Sequence, residues 1–288
     1  MAADVADRGT AAAARRSHAD TAPLNTTPRG FRGAAAGYGP AAILLIAGIA
    51  AWQFVGHAAH APAWLLPSPW RIATTLWTDR GLLDAGAWAT AEEAWLGFGA
   101  ALILAVLFAL AIRFSALAES ALWPLLVASQ TVPIPAVAPL LVLWLGYGML
   151  PKIVVVALIC FFPVVVTAVD GLRAADPDTL DALRTLGGTR GRLFWSVEAP
   201  GALPAVASGV KTSAAYAVVG AVLGEWLGGT RGLGVVMVQA SAQLLTARVF
   251  AAVVWLAALG IATFAAAALA ERAWLPWYHT AERGRRWR

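Results

Sequence analysis

Polar and ionisable residues inside the long apolar stretches of this chain are its first candidates for chemistry. Glu225 lies near one end of the stretch 204–227, and an ionisable group in an apolar span marks a functional site by default, because burying its charge is costly. A structural role, as an interfacial carboxylate or a partner of Arg231, is the alternative. The other candidates are uncharged polar residues that either line a solute pathway or hydrogen-bond between helices: Gln130, Thr131 and Tyr216.

The sequence contains none of the motifs with which enzymes bind nucleotides or metals. No G-x-x-x-x-G-K-[ST] loop is present, and the glycine-rich GGTRG at 228–232 lacks the lysine that contacts phosphate. No serine, histidine and acid arrangement stands out either. We therefore expect no catalytic residue, no metal site and no cofactor in this chain. The four histidines, which show no metal-ligand spacing, are His18, His57, His60 and His279.

The composition of the chain predicts the kind of structure in which these residues lie. Of the 288 residues, 60% are hydrophobic and 13% are charged, whereas soluble domains carry about 25% charged residues. So little charge cannot cover a soluble surface, and we predict an all-α polytopic membrane protein. Cys160, in an apolar run, is expected to be a small buried side chain. Six stretches approach or exceed the roughly 20 residues that cross a bilayer: 39–57, 89–112, 121–147, 151–169, 204–227 and 249–270.

The third of these stretches is unusual because its middle, TVPIPAVAP, holds Pro133, Pro135 and Pro139. Each proline removes a backbone donor and disfavours a straight helix. In lipid, the carbonyl groups left without partners must find them in neighbouring helices or water. We expect this segment to face protein or a solute pathway, and the alternative is a kinked helix that only packs.

Positive charge orients the spans. With the N-terminus in the cytoplasm, 16 of the 21 Lys and Arg residues fall on the cytoplasmic side. Both termini and the loop between the fourth and fifth spans are then cytoplasmic. The net charge of +5 reflects this topology and does not indicate nucleic-acid binding. The chain divides into a disordered cytoplasmic tail (1–38), a transmembrane domain (39–275) and a basic cytoplasmic tail (276–288).

The loop between the fourth and fifth spans begins with a predicted short helix. Asp176 can cap a helix that starts at Pro177, and Gly187 and Gly188 are placed to end it. Three leucines recur every third residue and form one apolar stripe: Leu180, Leu183 and Leu186.

A second short helix is predicted to follow directly. Thr189 can cap it, and we expect Pro200 to stop it. Because short helices with an apolar stripe are marginal alone, the loop needs a partner surface. Spacing leaves open whether that surface is the chain's own spans or another protein.

The residue pattern of this loop resembles that of the cytoplasmic loop in bacterial ABC-importer permeases. The pattern in that family is Glu-Ala-Ala, three residues, Gly, nine residues, Ile-x-Leu-Pro. Here Ala182, Gly187 and Pro200 match outright. Asp181 and Val197 are conservative replacements, whereas Leu183 and Ala199 depart from the pattern. Two longer segments, WPLLVASQTVPIPAVAPLLVLWLGYGMLPK and VVGAVLGEWLGGTRGLGVVM, resemble the same family, and the resemblance covers roughly 62–275.

The resemblance implies that 181–187 is a coupling helix seated in a cleft of a separate ATPase subunit, which binds ATP and Mg. In this arrangement Leu180, Leu183 and Leu186 dock, and Asp181 and Arg184 meet polar groups at the rim. It further implies a bacterial inner-membrane permease that forms a homodimer, binds two ATPase copies and receives its solute from an extracytoplasmic binding protein. The pathway candidates in this chain are Gln130, Thr131, Pro133, Pro135, Tyr216 and Glu225.

The segments SQTVPIPAVAPLLVLWLGYG and GEWLGG narrow the resemblance to one branch of the family. They are most similar to members that move thiamine-precursor pyrimidines or riboflavin. Taurine, sulfonates or nitrate are the alternative solutes of the same branch.

The competing class of protein is an ATP-independent carrier or a membrane enzyme. A carrier usually shows an internal repeat and charges near the midplane, whereas this sequence shows no repeat and its midplane is nearly free of charge.

Overall fold

The computed structural model describes residues 31–58, 62 and 64–276. The described residues form helices and no strand, as predicted. The described residues divide into two compact units at the boundary between residues 54 and 55. The helices are α1 (Phe31–Ala58), α2 (Pro69–Thr78), α3 (Arg80–Phe114), α4 (Ala116–Ser129), α5 (Ile134–Leu145), α6 (Met149–Arg173), α7 (Pro177–Thr185), α8 (Arg190–Leu193), α9 (Ala199–Trp226), α10 (Leu233–Ala242) and α11 (Thr246–Trp274).

Helix α1 contains the first predicted span, 39–57. Its apolar part, Ala42–Gly56, is shorter than the roughly 20 residues that a span needs. The helix begins at Phe31, so residues 31–38 of the predicted tail are helical. Alanines at 34–36 favour that extension, because alanine is the best helix former. The remainder of the tail and most of the C-terminal tail lie outside the described residues.

Four helices in the described part of the chain are long and apolar enough to cross a membrane. The count rises to five if α4 and α5 together make one span. The second, fourth and sixth predicted spans each lie within one long helix, and the fifth, 204–227, ends one residue beyond its helix. The four helices are Arg80–Phe114, Met149–Arg173, Arg190–Trp226 and Thr246–Trp274.

The proline-rich third stretch is broken into α4 and α5, which meet at 104°. This bend separates two helices and is larger than a kink within one continuous helix. Pro133 caps α5 in an extended conformation (φ −65°, ψ 119°), and a proline also disfavours helical geometry at Val132 before it. Gln130 and Thr131 form the turn between the two helices and donate their backbone N–H groups to carbonyls of α4 at 3.2 and 3.1 Å.

The predicted short helix after the fourth span is confirmed as α7. The Asp176 carboxylate accepts the backbone N–H groups of Asp178 and Thr179, both at 3.3 Å, and Pro177 opens the helix. Gly187 follows the helix with φ +82°, a conformation that costs glycine little. Gly188 N–H then donates to the Leu183 carbonyl at 2.9 Å, which closes the C-terminus.

The prediction that Pro200 stops the second short helix is wrong. Thr189 does cap α8, but α8 passes into a π-helical turn, Phe194–Glu198, and then directly into α9. Ala199 N–H donates to the carbonyl of Phe194, five residues back. Pro200 therefore falls in the first turn of α9, where its missing N–H is tolerated.

The contact between α6 and α9 is backbone against backbone. A Cβ atom added at Gly220 or Gly224 would lie 3.0 Å from a Cα atom of α6, and one at Gly171 would lie 3.1 Å from the Ala202 Cα of α9. Small residues permit this close approach, which is typical of membrane helices. Cys160 is fully buried in the core between α3, α6 and α9, as expected. These three helices position the sites described next.

Candidate functional site

Helix α7 contributes no buried residue to the fold. Leu180 and Leu183 are half-buried, and Leu186 is 82% exposed. Arg184 donates to Asp181 at 2.6 Å, and both side chains of this pair are mostly exposed. Residues 180–187, predicted for coupling, thus lie in a helix without buried residues and in the turn after it, whereas Pro200 lies apart in the first turn of α9. Their mixed apolar and charged groups suit contact with another protein.

The cap of α7 is electrostatically favourable. Asp176 lies in the loop, outside the spans, where the hydroxyl of Thr179 donates to its carboxylate at 2.6 Å. This hydrogen bond, with smaller contributions from two backbone N–H groups, lowers the pKa of Asp176 from 3.8. The cap is therefore fully ionised at neutral pH.

A cavity of about 380 Å³ separates α7 from the ends of α3 and α6. Its lining is both apolar and charged. Leu180 and Asp181 face it from α7, Arg113 from α3 and Arg173 from α6, with Glu198 from the π-helical turn. Helix α7 therefore lies over a partly open cavity with charged lining residues and is not packed into the core.

A partly buried ion pair lies in the wall of this cavity. Arg113 Nε donates to Glu198 Oε2 at 2.5 Å, and Arg113 Nη2 donates to Glu198 Oε1. The Glu198 side chain is 2% exposed and that of Arg113 is 25% exposed. Phe114 packs on Phe194 next to the pair, with ring centroids 5.1 Å apart. From the sequence, Arg113 contributed only to the predicted orientation of the spans in the membrane. No sequence signal linked it to an acid 85 residues away.

Glu225 is buried at the other end of α9, among hydrogen-bond donors. Its Oε1 accepts the hydroxyl of Thr90 at 2.6 Å, and its Oε2 accepts the backbone N–H of Gly234 at 2.5 Å. Thr90 in turn accepts the N–H of Leu233 at 2.9 Å, so the start of α10 is held against α3 and α9. Arg231 pairs with Glu92 at 3.5 Å. These contacts are structural, and a place for Glu225 in a pathway stays a prediction.

A second buried ion pair lies close by. Lys152 Nζ donates to Glu93 Oε1 at 2.6 Å and to the Arg231 carbonyl at 3.3 Å. Glu93 Oε2 is buried and has no hydrogen-bond partner among the described residues. Both residues line a small cavity of about 130 Å³. Sequence reasoning missed the pair, although the adjacent acids Glu92 and Glu93 in an alanine-rich helix were a usable signal.

The other pathway candidates are not gathered into one cluster with Glu225. Gln130 and Thr131 lie exposed at the break, before Pro133. Tyr216 is 48% exposed on α9 and precedes Glu225 by nine residues, about 14 Å along a helix. Pro135 lies in the first turn of α5. Among the described residues, no group of His, Cys, Asp and Glu forms a metal site.

The fold and these sites define an all-α, multi-pass membrane protein with an exposed helical loop. The family model for the inner membrane component of binding-protein-dependent transport systems matches residues 97–275, and the chain belongs to this family. It is a permease of the bacterial ABC importers, in the branch that includes sulfonate, taurine, thiamine-precursor and riboflavin transporters.

Three relatives illustrate the similarity. A probable ABC transporter permease of Haemophilus influenzae is 39% identical over 77% of this chain and 91% of its own length. The formylaminopyrimidine transport permease ThiX of Halalkalibacterium halodurans is 36% identical over 78% of this chain and 90% of its own. The riboflavin transport permease RibX of Chloroflexus aurantiacus is 36% identical over 78% of this chain and 85% of its own.

The fold also resembles a solved structure. A chain of the methionine ABC transporter MetNI, in an inward-facing conformation, superposes with a TM-score of 0.57. The match covers 68% of this chain and 97% of that chain, at 17% sequence identity. At this identity the likeness establishes the fold alone.

Proposed function

We propose that α7 docks in a cleft of a separate ATPase subunit and transmits ATP-driven movement to the spans. The exposed, doubly capped α7, which contributes nothing to the chain's own core, is the observation that carries this proposal. Leu186 and the half-buried Leu183 supply the apolar contact, while Asp181 and Arg184 face polar groups at the rim. ATP and Mg bind to that partner and not to this chain.

The complete importer contains two copies of this chain, two ATPase copies and an extracytoplasmic binding protein. In this arrangement α1 and the broken pair α4–α5 complete six spans, and both termini lie in the cytoplasm. The family description, which names binding-protein-dependent transport, supports the binding protein. The distribution of Lys and Arg supports the orientation.

The solute is a small heterocycle, a thiamine-precursor pyrimidine or riboflavin. The names of ThiX and RibX, two relatives that align over more than three quarters of this chain, support this choice. Taurine, sulfonates or nitrate are the alternative within the same branch. Ligand-binding assays on the partner binding protein, with these solutes in competition, distinguish the two. Binding of taurine alone would overturn the heterocycle assignment.

Docking is tested by charge substitution on α7 in a reconstituted importer. We expect L180D/L183D/L186D to abolish both uptake and binding-protein-stimulated ATP hydrolysis, because three carboxylates replace the apolar stripe. A single substitution, L186D, is compared with the control L117D. Leu186 and Leu117 are 82% and 79% exposed, and both lie on the predicted cytoplasmic side of the membrane. Uptake by L186D equal to that of L117D would contradict docking.

A secondary carrier is the alternative class. It predicts uptake into vesicles without ATP, driven by an ion gradient. Under our proposal, uptake requires ATP, the ATPase subunit and the binding protein together. Gradient-driven uptake by this chain alone would establish the alternative.

The pathway residues are tested by cysteine accessibility. Cys160 is the one cysteine of the sequence and is buried, so C160A gives a cysteine-free background. We expect T131C and Y216C to react with a polar maleimide at rates that change when ATP is added, because a pathway alternates its access. Rates that stay the same in every nucleotide state would place both residues outside the pathway.

A further inference from the structure

The loop that contains α7 becomes buried from Leu193, the last residue of α8, and remains so at both ends of the π-helical turn. No residue of α7 is buried, whereas Phe194 and Glu198 at the two ends of the turn are both buried. Phe194 belongs to the core formed by α3, α6 and the start of α9. Because α8, the turn and α9 are continuous, movement of the loop reaches this turn before it reaches the rest of α9.

The turn is fixed to α3, which is not adjacent to it in the chain. Both carboxylate oxygens of Glu198 accept hydrogen bonds from the guanidinium group of Arg113. A two-point pair of this kind fixes orientation as well as distance. The Phe114–Phe194 contact lies directly beside it. The last turn of α3 is thus attached to the point where the loop becomes α9.

At the other end of the loop, the ion pair is more exposed. There Arg173 at the end of α6 pairs with Glu119 of α4 at 2.5 Å, but each side chain is nearly half exposed, and solvent weakens such pairs. The cavity of about 380 Å³ leaves space beneath α7. The loop can therefore shift over the cavity while its downstream end stays attached to α3.

From this geometry we propose that Arg113 and Glu198 are positioning residues that make α3 move together with α9 when α7 is displaced. Without the pair, displacement of α7 reaches α3 only through apolar packing, which lacks the fixed orientation of a two-point ion pair. The inference rests on the docking role of α7 proposed above.

The test measures uptake and ATP hydrolysis separately in the reconstituted importer. For R113K and E198Q we expect uptake to fall about tenfold while stimulated ATP hydrolysis changes less than about twofold, a loss within the usual range of coupling between sites. The swap R113E/E198R should recover uptake. E271Q is the matched control, because Lys211 and Glu271 form a similarly buried pair between α9 and α11.

Two results would overturn the inference. One is a parallel loss of uptake and hydrolysis in R113K and E198Q with no recovery in the swap, which indicates that the pair only stabilises the fold. The other uses R113L/E198L, in which apolar side chains replace the pair and avoid an unpaired buried charge. We expect this variant to assemble with an unchanged Tm and still to lose uptake; normal uptake by R113L/E198L would refute the coupling role.

The same assay separates this inference from the docking proposal. If L186D loses uptake while R113K and E198Q retain it, docking stands and the Arg113–Glu198 inference fails. If L186D and the triple variant of α7 retain both activities, the docking proposal itself fails.

Discussion

Replacing Lys152 by methionine tests the buried ion pair at the end of α6. The side chains of Lys152 and Glu93 are 6% and 1% exposed, and their charged atoms lie 2.6 Å apart. Methionine keeps most of the length and apolar character of the lysine stem but removes the ammonium group. Glu93 Oε1 would then lose its partner, and Oε2 already has none among the described residues.

The expected loss of stability is large. Breaking a buried pair by removing one partner costs about 3–5 kcal/mol, because the other charge stays buried without compensation. The bond to the Arg231 carbonyl, at 3.3 Å, adds up to about 1 kcal/mol. With Tm falling by roughly 2–4 °C per kcal/mol for a chain of this size, a loss of about 4 kcal/mol lowers Tm by about 8–16 °C.

Thermal unfolding of the purified protein in detergent, followed by tryptophan fluorescence, measures this shift. The double variant E93Q/K152M should recover most of it, because it buries no charge. The control is R231M, which removes an exposed and longer pair with Glu92 and should cost at most about 1 kcal/mol. If K152M lowers Tm no more than R231M does, or if the double variant is as unstable as K152M, the buried-charge argument is wrong.

Three further changes test other contacts. T90V leaves a buried oxygen of Glu225 without its donor and should lower stability by about 1–3 kcal/mol, with Tm as the measurement. G97A places a methyl group against α6 and should cost about 1–3 kcal/mol, whereas G99A, in open space, should cost nothing; equal Tm values would contradict the close packing. The lowered pKa of Asp176 means that its cap stabilises α7 above about pH 4 and is lost as pH falls through the lower, folded-state pKa. Hydrogen exchange of α7 amides, corrected for intrinsic rates, should therefore rise in acid, and D176N should remove this pH dependence.

Local signals in the sequence predicted α7 almost completely. Asp176, Pro177 and Gly187 act within one or two turns of the helix they delimit, so their effect does not depend on the rest of the fold. Composition likewise identified the long apolar helices, because span length is set by the bilayer and not by packing. The resemblance in the loop and the proline-rich segment was enough to identify the family.

Contacts between distant segments were not predictable in the same way. Glu93 and Lys152 are 59 residues apart, and Arg113 and Glu198 are 85 residues apart. Whether such residues meet depends on the rotation of each helix about its axis, which the even apolar character of these spans does not reveal. The continuation of α8 through Pro200 was missed for a related reason, since a π-helical turn leaves no simple sequence signal.

The glycine contacts between α6 and α9 also determine the order in which the chain can be assembled. The two helices are consecutive spans, and they approach each other closely at Gly171, Gly220 and Gly224. Their pairing needs no segment that is synthesised later, so it can be complete once Trp226 has left the ribosome and entered the bilayer. The loop joining them can then form while α11 is still unmade, before translation ends.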